Sequence, residues 1–175
     1  MKKKISIILA LFLAGIALLI TNVYQRDTKK PVALGQHAPG FEALDSVNSV
    51  KLLSSDYEGK VLFVNFWASW CQPCREEMPS IEALYKEMSN NNDFRMITIL
   101  YKDSIDNALG YMKANGYTFP VYYDPEGLSS KNFSVTGVPE TYLIDKKNIL
   151  RKRVIGPADW NSPDEKGFIV SLVNE

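Results

Sequence analysis

Residues 60–74 read KVLFVNFWASWCQPC and contain the strongest structural pattern of the chain. The run from Val61 to Trp67, apolar apart from Asn65, is typical of a strand that is buried on both faces of a sheet. After it, apolar residues recur every three or four positions, which predicts a helix with one buried face. That face contains Cys74, Met78, Ile81, Tyr85 and Met88. The stretch therefore predicts a buried strand that passes directly into an amphipathic helix, with two cysteines at the junction.

The 175-residue chain has two cysteines, and they stand three positions apart. Backbone N–H groups in a first helical turn are unpaired and carry partial positive charge, so a thiolate there is stabilised. We therefore expect Cys71 to have a lowered pKa, to be exposed and to attack disulfides. Cys74 lies one turn further along, on the buried face, where it stays protonated until it resolves the mixed disulfide on Cys71. The spacing indicates a two-step thiol–disulfide exchange.

Other uses of a cysteine pair fit the sequence poorly. A zinc site needs about four ligands, and His37 is the single histidine of the chain. A covalently attached haem needs a histidine directly after the second cysteine, where Arg75 stands. Lysine plus arginine equals aspartate plus glutamate, at 20 each, so charge gives no indication of a nucleic-acid partner. We expect neither a metal nor a cofactor.

The rest of the chain predicts strands that alternate with helices and then a hairpin before a final helix. Ser104 to Asn115 is expected to be helical, with Asp103 or Ser104 as N-cap and Gly116 as the end. Ser162 and Glu165 predict a capping box at the start of the final helix. The expected strands are residues 94–100, 119–123, 141–145 and 149–155. This order predicts an α/β or α+β sheet flanked by helices.

The N-terminus has the pattern of a membrane anchor. Three lysines precede an apolar run from Ile5 to Ile20, and extension to Tyr24 gives about 20 helical residues, roughly 30 Å, enough to span a bilayer. The lysines favour a cytoplasmic N-terminus, and no Ala-x-Ala cleavage pattern follows the run. We predict a single-pass anchor over residues 1–24, a linker over 25–33, and a domain over 34–175 on the extracytoplasmic (periplasmic) side of the cytoplasmic membrane. A cleaved signal peptide is the alternative, and it also exports the domain.

Two motifs carry a resemblance to a known family. Residues 66–74, FWASWCQPC, followed by Met78-Pro79, resemble the active-site segment of thioredoxin-like proteins. Residues 137–145, GVPETYLID, resemble the cis-proline segment of their TlpA, ResA and DsbE branch. The resemblance implies an α/β, thioredoxin-like fold: a central mixed sheet flanked by helices, with an N-terminal hairpin and an inserted helix and strand between residues 104 and 123.

The resemblance also implies a function. Members of this branch usually reduce disulfides in exported proteins, including apocytochromes c, with electrons from a membrane thiol carrier of the DsbD or CcdA type. A disulfide-forming oxidase is an alternative, but Gln72-Pro73 supplies no charge that would stabilise a thiolate strongly. A peroxidase would need proline and threonine where Val64 and Ala68 stand. A binding module without catalysis is the remaining alternative.

The family pattern assigns further site residues. Pro139 matches the cis-proline, which would bring backbone beside Cys71 for pairing with a substrate strand. Glu77 borders the buried helix face, where half-burial would raise its pKa and let it pass a proton to or from Cys74. Thioredoxins carry a titratable aspartate at the position of Asn65. The alternatives are a solvated helix carboxylate for Glu77 and an ordinary strand carboxylate for Glu140. The expected substrate contacts are Trp70, Gln72, Pro73, Val138 and Glu140.

Overall fold

The computed structural model describes residues 12–18, 32–47 and 49–175. Its contacts divide the chain into two units, Met1–Lys30 and Pro31–Glu175. Residues 12–18 are helical, and within the described residues no helix has the length and apolar character needed to cross a membrane. Most of the expected anchor and linker lies outside the described residues. The anchor, the linker and the domain bounds therefore stay predictions.

From residue 32 onward, the described chain forms seven strands and four α-helices. The strands are β1 (Glu42–Asp45), β2 (Lys51–Leu53), β3 (Val61–Trp67), β4 (Phe94–Leu100), β5 (Val121–Tyr123), β6 (Glu140–Ile144) and β7 (Leu150–Ile155). The helices are α1 (Gln72–Met88), α2 (Ile105–Asn115), α3 (Leu128–Asn132) and α4 (Pro163–Val173), and a 3₁₀ turn covers Ser54–Tyr57.

The strands form one mixed sheet in the order β2-β1-β5-β4-β3-β6-β7. Strands β3, β4 and β5 are parallel, whereas β6 and β7 run antiparallel to their neighbours. β1 and β2 form the N-terminal hairpin, and α2 with β5 forms the inserted helix and strand. The expected mixed sheet, hairpin and insertion are confirmed.

Strand β3 divides its side chains between the two faces of the sheet. Phe63 and Trp67 pack against α1, α2 and α4, while Val64 and Phe66 pack on the opposite face with Phe133. Every residue of β3 is buried, which agrees with its near-continuous apolar sequence. The odd-numbered residues of β3 therefore point toward the helix that begins at the cysteines.

The helix ends largely follow the sequence signals. The Ser104 hydroxyl accepts a hydrogen bond from the Asn107 N–H, and α2 ends at Gly116, which has φ of 69°. Ser162 is the N-cap of α4 and accepts from the Glu165 N–H. The Glu165 carboxylate, which we expected to complete a capping box, accepts instead from Lys152 Nζ at 2.6 and 2.7 Å. That part of the prediction was wrong, because a cation on β7 lies within reach of the carboxylate.

Neighbouring residues of α4 provide a test of the core. Ile169 is fully buried and Val170 is exposed. We expect Ile169→Ala to lower the free energy of unfolding by about 2–5 kcal/mol, because it leaves a cavity. Val170→Ala should change it by less than about 0.5 kcal/mol. Urea denaturation of both variants measures the difference, and equal losses would contradict the assigned helix face.

Candidate active site

Cys71 and Cys74 form a disulfide at the N-terminus of α1. Cys71 is the N-cap residue, and its Sγ accepts a hydrogen bond from the Cys74 backbone N–H at 3.2 Å. This N–H belongs to the first helical turn, whose donors have no partner within the helix. The helix therefore directs a backbone donor at the sulfur that we expect to carry negative charge after reduction.

The two sulfurs differ in exposure, although less than we expected. Cys71 is 4% exposed and Cys74 is fully buried. The prediction of an exposed Cys71 is wrong for this disulfide state, because Cys71 Sγ lies 3.4 Å from the Val138 carbonyl oxygen. Cys71 is nevertheless the only cysteine of the pair with accessible surface, so an attacking thiol must approach the disulfide at Cys71.

The peptide that covers Cys71 is the expected cis bond between Val138 and Pro139. Strand β6 begins at the next residue, and Glu140 is the register partner of Phe66 near the end of β3. The Pro139 carbonyl accepts from the Gly156 N–H at 2.9 Å, which joins this segment to the end of β7. Strand pairing thus places residues 138 and 139 beside a cysteine that is 67 positions away in sequence.

The other expected substrate contacts lie around the disulfide. Trp70 is 57% exposed, and its indole N–H donates to the Lys102 carbonyl at 3.1 Å. Gln72 and Pro73 are exposed in the first turn of α1, and Val138 is half-buried. These side chains border the disulfide, and their contact with substrate stays a prediction.

Side chains from outside the motif hold the loop that precedes Cys71. The Ser69 N–H donates to Asp103 Oδ2 at 2.6 Å, and Arg75 Nε donates to the Ser69 carbonyl at 2.5 Å. The Arg75 guanidinium also lies 5.2 Å from the centre of the Tyr111 ring. Arg75 therefore orients the loop and the inserted helix. The sequence indicates Asp103 only as a candidate helix cap, whereas in the structure its carboxylate binds the Ser69 N–H.

Glu77 is the buried acid of the site. It is 2% exposed, so the alternative of a solvated helix carboxylate is wrong. Its carboxylate accepts from Asn65 Nδ2 at 2.9 Å, from the Trp160 indole N–H at 3.2 Å and from the Ala158 N–H at 3.3 Å. Burial raises the pKa of Glu77 to about 7, and these three donors oppose that rise.

Asn65 has a role that the sequence did not indicate. Besides Glu77, its Nδ2 donates to Thr141 Oγ1 at 2.8 Å, which connects β3, β6 and α1 within the core. The sequence marked Asn65 only as a residue that cannot titrate. The sequence predicts no role beside Glu77 for Trp160 or Thr141, because they lie 83 and 64 positions away and no local pattern indicates the contact.

Glu140 lies in a different environment from Glu77. It is 2% exposed, accepts from the Tyr142 hydroxyl at 2.6 Å and forms an ion pair with Arg153 Nε. Tyr142 belongs to the core on the sheet face opposite α1. This internal pair favours the alternative of a structural strand carboxylate for Glu140.

The arrangement has the parts that thiol–disulfide exchange requires: a disulfide at a helix N-terminus, a cis peptide beside it and a buried acid one turn away. Val64 and Ala68, where a peroxidase needs proline and threonine, are buried apolar residues. In residues 12–18, 32–47 and 49–175, no three histidine, cysteine or acidic side chains form a group that could hold a metal ion. Fold and site together define a thiol–disulfide oxidoreductase.

Comparison with known proteins agrees with this class. Residues 34–153 match the AhpC/TSA family. The thiol:disulfide interchange protein DsbE of Allochromatium vinosum is 33% identical over 160 residues, 90% of this chain and 86% of that protein. The thiol-disulfide oxidoreductase ResA of Geobacillus thermodenitrificans is 31% identical over 152 residues, 86% of this chain and 85% of that protein.

A solved structure shows the same fold. A thiol:disulfide interchange protein of the thioredoxin family from Chlorobium tepidum aligns with a TM-score of 0.66 and 26% identity, covering 82% of this chain and 99% of that one. The expected thioredoxin-like fold is confirmed. The chain belongs to the AhpC/TSA family and is a thiol–disulfide oxidoreductase of the DsbE and ResA type.

The raised pKa of Glu77 predicts a pH-dependent stability. Between pH 4.5 and 7 the unfolded chain loses this proton while the folded protein keeps it, so the free energy of unfolding falls as pH rises. We expect this carboxyl to account for a loss on the order of 3 kcal/mol across that window. Urea denaturation at several pH values measures it, with Glu77→Gln as the control that lacks this slope. Parallel pH profiles of the two proteins would contradict burial of a titrating Glu77.

Proposed function

We propose that this protein reduces disulfides in exported proteins, by dithiol–disulfide exchange through Cys71 and Cys74 on the extracytoplasmic side of the cytoplasmic membrane. The observation that carries the proposal is the asymmetric disulfide at the start of α1, in which Cys71 alone keeps accessible surface. A client must therefore attach to Cys71, and Cys74 must release it.

The chemistry proceeds in two steps. The Cys71 thiolate, stabilised by the first turn of α1, attacks a client disulfide and forms a mixed disulfide. The cis Val138–Pro139 segment offers backbone for pairing with an extended client segment. It lies beside the reactive sulfur, since the Val138 carbonyl oxygen is 3.4 Å from Cys71 Sγ. Cys74 then attacks Cys71 Sγ, restores the internal disulfide and releases the reduced client.

Glu77 is the proposed proton acceptor for Cys74. Cys74 is fully buried, so its thiol is poorly ionised until a base removes the proton. Glu77 lies one helical turn further along α1, and burial raises its pKa to about 7, where a carboxylate both accepts and returns a proton at neutral pH. Asn65, which stands where thioredoxins have an aspartate, cannot perform this role.

Charge around the sulfurs favours reduction over oxidation. Strong oxidants stabilise their thiolate, which makes the reduced form the favoured one. Here Gln72 and Pro73 between the cysteines are uncharged, and Arg75 in the first helical turn is directed to Ser69 and Tyr111. We therefore propose a reductant rather than a disulfide-forming oxidase.

The location and the partners follow from the N-terminal sequence and from the resemblance to the TlpA, ResA and DsbE branch. The three lysines and the apolar run support a signal anchor over residues 1–24 that holds the domain outside the cytoplasm. In that compartment we propose a membrane thiol carrier of the DsbD or CcdA type as electron donor. Apocytochromes c are the proposed clients within the wider class of exported proteins.

Replacement of the buried cysteine should trap clients. In Cys74→Ser, Cys71 still attacks but nothing inside the protein releases the product, so mixed disulfides should accumulate. Mass spectrometry of the trapped species after non-reducing purification from the native host names the clients. The matched control is the double variant Cys71→Ser/Cys74→Ser, which should trap nothing. An active protein without both cysteines would show instead a function that needs only the fold.

Replacement of the buried acid should change the pH dependence. Glu77→Gln keeps the volume and loses the titrating group, so exchange should slow by about 100-fold, the lower end for general acid–base catalysis. The rate profile between pH 5 and 9 should also lose its inflection near neutrality, as measured by stopped-flow reduction of insulin. Glu87→Gln, an exposed carboxylate on the same helix and outside the site, is the control. An unchanged profile in Glu77→Gln would remove Glu77 from the mechanism.

A further inference from the structure

A surface cleft reaches Glu77 between α1 and the loop that precedes α4. Its volume is about 460 Å³. One wall comes from α1 and the other from the loop at residues 157–161. The lining residues are Glu76, Glu77, Pro79, Ser80, Pro157, Ala158, Asp159 and Asn161. Glu77, which is only 2% exposed, thus belongs to the wall of an open cleft.

Hydrogen bonds hold the cleft in this shape. Glu77 Oε2 on the α1 wall accepts from the Ala158 N–H and the Trp160 indole N–H of the loop. Ser80 Oγ, also on α1, lies within hydrogen-bond distance of the Ala158 carbonyl at 3.3 Å and accepts from the Trp160 N–H at 3.1 Å. These contacts attach the loop to α1 along the cleft, and the Glu77 carboxylate takes part in the attachment.

The side of the site that faces the client offers no comparable access. Cys74 is fully buried, and the Cys71 side is already covered by Val138 in the free protein. In the mixed disulfide a client lies on that same surface. A proton removed from Cys74 at that stage must leave in another direction.

We propose that the cleft between α1 and residues 157–161 is the route by which Glu77 exchanges its proton with solvent while a client covers the disulfide. We call it the proton outlet, and it rests on the proposed role of Glu77 in client release. It assigns a function to the loop before α4, which the two-step exchange itself does not use.

The protons and electrons balance as follows. Cys74–SH gives its proton to the Glu77 carboxylate, and the Cys74 thiolate attacks Cys71 Sγ. The bond between Cys71 and the client sulfur breaks as the Cys71–Cys74 bond forms, and the client leaves as a thiolate that takes a proton from solvent. Two electrons have then passed from the dithiol to the client disulfide. Protonated Glu77 finally releases its proton to water in the outlet.

The groups around Glu77 suit this direction of transfer. Asn65 on β3, Thr141 on β6 and Trp160 in the loop carry amide, hydroxyl and indole groups, which are too weakly basic to accept the proton at neutral pH. Cys74 on α1 is its source. Two exposed carboxylates, Glu76 and Asp159, stand at the rim of the outlet, where they favour passage of a cation to solvent.

Blocking the outlet from α1 tests the proposal in the full-length chain. Pro79 is exposed and lines the cleft, so Pro79→Trp places a large side chain there, and Pro79→Ala is the matched control without a block. The readout is decay of a preformed mixed disulfide between Cys71 and reduced insulin, followed by rapid quenching at pH 7. We expect Pro79→Trp to decay at least about tenfold more slowly than Pro79→Ala, since proton transfer of this kind contributes 10²–10⁴-fold.

The same substitution in a Glu77→Gln background separates the outlet from the wider mechanism. If Pro79→Trp slows the decay by obstructing proton release from Glu77, it should cause no further slowing in the Glu77→Gln background. Additive slowing of the two substitutions would contradict the proposed outlet. Equal decay rates for Pro79→Trp and Pro79→Ala would also contradict the outlet. If Glu77→Gln still decays slowly in that case, the proposed role of Glu77 remains supported although the outlet does not. If Pro79→Trp does not fold, Asn161→Trp obstructs the cleft from the opposite wall. Asn161→Ala is then the matched control, and we expect the same difference in decay rate.

Discussion

The short junction between β3 and α1 sets the positions of both cysteines and of the buried acid. Because β3 is buried on both faces, its last residue, Trp67, is fixed in the core, and the chain has four residues in which to reach the first turn of α1. That short connection puts Cys71 at the helix N-terminus, where a backbone N–H meets its sulfur, and Cys74 in the core. The difference between the two sulfurs is a consequence of this connection.

The buried acid depends on the same junction. Residues 65 and 77 face each other because the odd-numbered residues of β3 point toward α1, and Asn65 then supplies the shortest hydrogen bond to Glu77. Burial disfavours the carboxylate, whereas Asn65, Trp160 and Ala158 favour it, and burial has the larger effect. A pKa of about 7 results from this opposition. A carboxyl in water would be ionised throughout the neutral range.

Neighbouring strands bring the remaining groups to this junction. Strand β6 pairs with β3 and carries the cis Val138–Pro139 peptide to Cys71, while the segment after β4 brings Asp103 to the Ser69 N–H. Arg75 binds the carbonyl of the same serine, so the loop before Cys71 is held from both sides. Its position is therefore set by long-range contacts as well as by the motif.

The buried strand β3, the cysteine pair at the start of a helix, the cis-proline position and the place of Glu77 beside the buried helix face were all predictable from the sequence alone. These follow from local patterns or short motifs, since periodicity and helix-capping act within a few residues. Three features appear only in the folded molecule. Val138 covers Cys71, and Glu140 pairs with Arg153. Glu77 is buried among Asn65, Trp160 and Ala158. Each of these depends on which distant segments pack together, and burial and charge pairing are properties of that packing rather than of any stretch of sequence.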